Sequence, residues 1–123
     1  MIELSTTTST TVVTVSGDLD MSERAHFPDV VTRVNELRRS ELVIDLCRAG
    51  FVDTSGAWFL VSLAERTQSR QGVSVLRGAD DRSLYVLDVL GALRMFQVND
   101  QHFCVDADAG TGTSALDGAG MDA

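Results

Sequence analysis

The chain has no lysine. All ten basic residues are arginine, set against eighteen carboxylates, for a formal charge of −8. Nucleic-acid binders need clustered Lys and Arg to neutralise phosphates, so this balance argues against that class. No apolar run approaches the ~20 residues of a membrane span. Met1-Ile2-Glu3-Leu4-Ser5 places no basic patch ahead of an apolar stretch, so no secretory signal is expected and a cytoplasmic location is the default. Only two cysteines occur, Cys47 and Cys104, far apart and without metal-ligand spacing. Both lie in apolar snippets, so buried, reduced thiols are expected, with a redox pair as the alternative. No metal or cofactor is implied.

What is present suits one compact domain: 123 residues can bury a core without a staple. Ile2 and Leu4 lead through a Ser/Thr stretch into the β-branched run Val12-Val13-Thr14-Val15-Ser16-Gly17, a candidate hairpin. The sole proline, Pro28, suits a first helical position, and Val30, Val31, Val34 and Leu37 then form one apolar face. Residues 41–47 (Glu41-Leu42-Val43-Ile44-Asp45-Leu46-Cys47) read as a strand buried on both faces. A helix from Ala57 to Gln68, a strand at Val73-Ser74-Val75-Leu76 and a helix capped by Asp80 or Asp81 follow. Met95 to Val98, with Phe103-Cys104-Val105, suggests an edge strand and an apolar plug.

Strands alternating with helices imply right-handed crossovers and a parallel sheet, made mixed by the hairpin. The expected class is therefore α/β, with a mixed four- to five-stranded sheet over residues 1–105. From Asp106 onward the chain is Gly, Ala, Thr, Ser and Asp, with few large apolar side chains. Its four acids carry half the net charge and leave −4 on the rest. Residues 106–123 are expected to be a disordered acidic tail.

Catalytic patterns are missing: there is no Gly-x-Ser-x-Gly elbow, phosphate-binding Walker loop or His-Glu-x-x-His. His26 and His102 read as ordinary surface or half-buried histidines. In Gly17-Asp18-Leu19-Asp20 two carboxylates are too few for calcium, and a strand-ending turn explains them. Phe51-Val52-Asp53-Thr54-Ser55-Gly56 is similar to the Asp-Thr-Gly loop of aspartic proteases, but Ser55 displaces the glycine and the flanking helices contradict an all-β enzyme. No enzyme is expected.

Asp53-Thr54-Ser55-Gly56 nevertheless stands between an apolar strand and an apolar helix. A hydroxyl there is either a helix cap or a group held among free N–H donors that tolerate a phosphate. Composition and spacing leave both readings open.

Four pieces in order, namely Gly17-Asp18-Leu19-Asp20, Leu42-Val43-Ile44-Asp45-Leu46, Phe51-Val52-Asp53-Thr54-Ser55-Gly56 and Val86-Leu87-Asp88-Val89-Leu90-Gly91-Ala92-Leu93-Arg94-Met95-Phe96, resemble the STAS family of anti-sigma factor antagonists. The resemblance covers about residues 2–105 and implies a bacterial partner-switching regulator. In that family the unphosphorylated antagonist binds an anti-sigma factor, a serine kinase of the GHKL ATPase type, and releases a sigma factor. The kinase phosphorylates the hydroxyl residue before the motif's glycine, and a PP2C-type phosphatase reverses this. Carried over, the acceptor is Ser55, with Thr54 second, and Asp18, Asp20, Asp53 and Gly56 belong to the docking surface. The free protein is expected to be a monomer. Ala57-Trp58 departs from the family's usual Leu and small residue, so Trp58 is an added partner-binding anchor, a hindrance to a typical kinase, or partly core. Met21 to Ala25 makes a longer link than usual. The alternative is a constitutive STAS module serving as a scaffold or as a nucleotide or lipid sensor.

Overall fold

The computed structural model describes residues 1–99 and Cys104. The hairpin forms from β1 (Ile2–Thr6) and β2 (Thr10–Leu19), closed where the Thr7 N–H donates to the Thr10 carbonyl at 2.8 Å. A 3-10 turn (Met21–His26) leads into α1 (Phe27–Leu37), then β3 (Glu41–Val52), α2 (Thr54–Ser69) and β4 (Val73–Arg77). α3 (Asp81–Val89), a short 3-10 turn (Leu93–Met95) and β5 (Gln97–Asn99) follow. The strands lie in the order β1-β2-β3-β4-β5, the first pair antiparallel and the rest parallel. The α/β class with a mixed sheet is as the sequence implies. The expected tail, residues 106–123, lies outside the described residues, as do His102, Phe103 and Val105 of the apolar plug.

Because each parallel step carries one helix and moves the same way across the sheet, right-handed crossovers place α1, α2 and α3 on one face. Burial shows which. Thr11, Val13 and Val15 of β2, Leu42, Ile44 and Leu46 of β3, and Ser74 and Leu76 of β4 are buried, while Val12, Thr14, Asp45, Val75 and Arg77 alternate to a partly exposed face. Central α2 supplies Ala57, Leu60, Leu63 and Ala64 to the core, joined by Val34 of α1 and Leu87 of α3. Phe27 and Phe59 stack at 4.3 Å between ring centres, fixing the start of α1 against α2.

β3 runs five residues beyond its expected end. Arg48, Ala49 and Gly50 carry little strand signal alone, but β2 continues beside them, pairing Ser16 with Arg48, Gly17 with Ala49 and Leu19 with Val52. Gly17 takes φ +78°, a conformation that suits glycine, where the register shifts. Tertiary pairing thus overrides local propensity.

The expectation of buried, reduced thiols is corrected. Cys47 and Cys104 form a disulfide with Cα atoms 5.3 Å apart, and Cys104 is exposed. Gly78, at φ +75°, makes room for it: a Cβ there would collide with Cys47 Sγ and sit 2.8 Å from Cys104 Sγ.

Of the two candidate caps for α3 it is Asp80 that accepts the Ser83 N–H, at 2.8 Å. Asp80→Ala should cost about 1 kcal/mol in urea denaturation. The bond from the Ser83 backbone holds the Asp80 carboxyl below its ordinary 3.8. A carboxyl depressed in the native state stabilises it fully above the unfolded value, and that contribution fades as pH falls through the folded value. The gap between wild type and Asp80→Ala should be constant above about pH 5 and close below 3.8.

Candidate functional site

The ends of β2 and β3 and the start of α2 converge at one rim of the sheet. Pairing of Leu19 with Val52 brings the strand ends level, and the Asp53 N–H donates to the Leu19 carbonyl at 3.2 Å. Asp53, in extended conformation, is the N-cap of α2: its Oδ1 accepts the Gly56 N–H at 2.9 Å. The helix therefore starts at Thr54, three residues earlier than the apolar run suggests. Neither Thr54 nor Ser55 caps it. Both occupy the first two helical positions, whose N–H groups have no acceptor inside the helix.

Gly56 sits where α2 meets β2. A Cβ on it would overlap the Leu19 carbonyl oxygen and lie 3.0 Å from the Leu19 side chain. Gly56→Ala should push the helix start off the strand end and cost about 1–3 kcal/mol. A thermal melt matching wild type would contradict this close approach.

The other acids hold the rim together. Asp18 Oδ1 accepts the Phe51 N–H at 2.8 Å, tying the end of β2 to that of β3. Asp20 caps the 3-10 turn, accepting the Ser22 hydroxyl at 2.5 Å and the Ser22 N–H at 2.9 Å. These bonds, the hydroxyl's first, hold its carboxyl below the ordinary carboxylate value. Asp18, Asp20 and Asp53 thus flank Leu19 and Val52 as one acidic rim, each with a backbone N–H on one oxygen.

Thr54 is exposed, while Ser55 is half-buried at the mouth of a groove of about 640 Å³. Ser55, Trp58, Phe59, Ser62 and Arg66 line one side at helical spacing along α2; Phe27 and Val31 of α1 and Arg24 of the 3-10 turn face them. Trp58 is 50% exposed, so it is half in contact with the fold and half presented to solvent. All seven residues that the sequence marks out, from Asp18 to Trp58, lie on this rim and groove. Arg24 is the residue sequence reading misses. The groove is tertiary, and no spacing in the sequence pairs position 24 with position 55. No helix among the described residues is long and apolar enough to cross a membrane.

Solved structures with this fold include an anti-sigma factor antagonist from Mycobacterium paratuberculosis, with a TM-score of 0.70 at 20% identity over 81% of this chain and 85% of that one. The anti-sigma factor antagonist SpoIIAA in its unphosphorylated form gives 0.68 at 15% over 82% and 90%, and Bacillus SpoIIAA in its phosphorylated form gives 0.65 at 16% over 82% and 93%. A sulfate transporter family protein from Wolinella succinogenes gives 0.59 at 18% over 71% and 73%. No curated protein matches the sequence significantly. At these identities the structures establish a shared fold. The sequence model of the STAS domain matches residues 1–103; taken with the five-stranded mixed sheet and its rim, this makes the chain a member of the STAS domain family.

Proposed function

We propose that the protein is an anti-sigma factor antagonist whose binding is switched off by phosphorylation of Ser55. The observation that carries this reading is the division of labour at the start of α2. Asp53 does the capping, so the Ser55 hydroxyl is released from that duty and opens on a groove beside a half-exposed indole. The fold is shared with SpoIIAA, an anti-sigma factor antagonist with both phosphorylated and unphosphorylated structures, which lends support.

In this reading the partner is an anti-sigma factor of the GHKL serine-kinase type. It transfers the γ-phosphoryl of ATP to Ser55 Oγ; the hydroxyl proton is lost and ADP leaves. A PP2C-type phosphatase hydrolyses the ester. Thr54, more exposed, is the competing acceptor. Asp18, Asp20, Asp53, Gly56 and Trp58 form the docking rim, with Trp58 as an aromatic anchor. The protein acts in the cytoplasm, as a monomer when free. The fold shared with a sulfate transporter family protein favours a second reading, a constitutive STAS module without a switch.

Affinity capture from a lysate of the source organism, with wild type and Ser55→Asp as parallel baits, separates the two. Retention of a GHKL-type kinase by wild type and its loss by Ser55→Asp is the expected result. Retention of the same partner by both assigns the protein to the constitutive class.

A further inference from the structure

Arg24 occupies the 3-10 turn that joins β2 to α1, a turn pinned in its first half. Asp20 caps its start through Ser22, and Glu23 lies 3.6 Å from the amino group of Met1. Just beyond these anchors the Arg24 side chain is exposed and pairs with no carboxylate among the described residues. It turns instead to the groove that Ser55 opens on, and its turn packs against α2.

We propose that Arg24 receives the phosphate carried by Ser55 and holds it in the groove between α1 and α2. This rests on Ser55 as acceptor and adds how the modified state is held. Two cations line the groove, Arg24 and Arg66. Arg66 lies eleven residues further along α2, about 16 Å at 1.5 Å per residue, so it stands three turns from the phosphate. From α1 the groove receives Phe27, Pro28, Val31 and Thr32, none of them charged; from α2 the only acid is Glu65, ten residues from Ser55. Arg24 is therefore the cation placed to meet a dianion that otherwise faces Asp18, Asp20 and Asp53. A planar guanidinium matches phosphate oxygens with two parallel N–H donors. Trp58, one turn from Ser55 on the same face, borders the pair and limits its hydration. Phosphorylation then acts twice on the docking face: it adds an anion and withdraws the free arginine.

The test places phosphoserine at position 55 of the full chain by chemical or genetic installation and follows the phosphate through a pH titration by phosphorus NMR. Free phosphoserine gives its second ionisation near pH 6. Arg24 favours the dianion, so Arg24→Gln should raise the phosphate pKa by about one unit relative to wild type. Arg66→Gln should leave it unchanged, and Arg24→Lys should restore part of the difference. The acidic rim is common to all four proteins and cancels in the comparison. Equal titration of wild type and Arg24→Gln, both with unaltered melting points, overturns the proposal; so does a larger effect from Arg66→Gln. Because the phosphate is installed without a kinase, this result is independent of whether any kinase uses Ser55, which partner capture reads separately.

Discussion

Ser55→Asp, or a phosphate on Ser55, should weaken binding of the anti-sigma partner by on the order of 10²-fold or more, about 2.7 kcal/mol, in a direct titration. Ser55→Ala should bind like wild type and no longer respond to the kinase. The magnitude follows from where the charge is put. Ser55 is half-buried on the rim before anything docks, and a partner covering Trp58 would bury it further. An anion there would be stripped of water beside Asp18, Asp20 and Asp53, and desolvating a charge that one arginine only partly neutralises costs several kcal/mol. The fold itself should not change. The first N–H groups of α2 accept an anion without rearrangement, and the cap belongs to Asp53. Circular dichroism of the phosphorylated protein should therefore superimpose on wild type. Equal partner affinity for Ser55→Asp, Ser55→Ala and wild type would refute the switch.

The second large effect concerns stability. The Cys47–Cys104 bridge closes a loop across 57 residues, tying the chain beyond β5 back to β3. In the chain-entropy account a loop of that length stabilises by up to about 4 kcal/mol, with measured bridges often giving less. Reduction, or Cys104→Ser, should lower stability by about 2–4 kcal/mol, a fall in melting temperature on the order of 10 °C. Thermal melts with and without reductant check this, and a Cys104→Ser protein insensitive to reductant is the control. Redox control is a separate proposal, which requires partner affinity to change with reductant. Equal affinity in both states would assign the bridge to stability alone.

Much of the fold is legible because local and tertiary signals agree. Val12 to Ser16, Leu42 to Leu46 and Val73 to Leu76 are β-branched or apolar runs that the structure pairs as β2, β3 and β4. Pro28 marks the start of α1 to within one residue. Legibility fails where three-dimensional partners decide. In Asp53-Thr54-Ser55 three successive side chains are all competent caps, and only the Asp53 N–H bond to Leu19 fixes which one faces Gly56. The end of β3 depends on β2 continuing beside weak strand formers. The disulfide depends on the missing Cβ of Gly78, far from Cys104 in sequence. For the site, the family resemblance supplies Ser55 and the acids. The groove and Arg24 emerge only when the 3-10 turn is packed against α2.

The most direct measurement is to incubate wild type and Ser55→Ala with ATP and the captured GHKL-type kinase, and to map incorporated phosphate by tandem mass spectrometry. The account predicts one phosphate per wild-type chain, on Ser55, and none on Ser55→Ala. A wild-type chain that stays unmodified, or a phosphate on Thr54 that persists in Ser55→Ala, would contradict it.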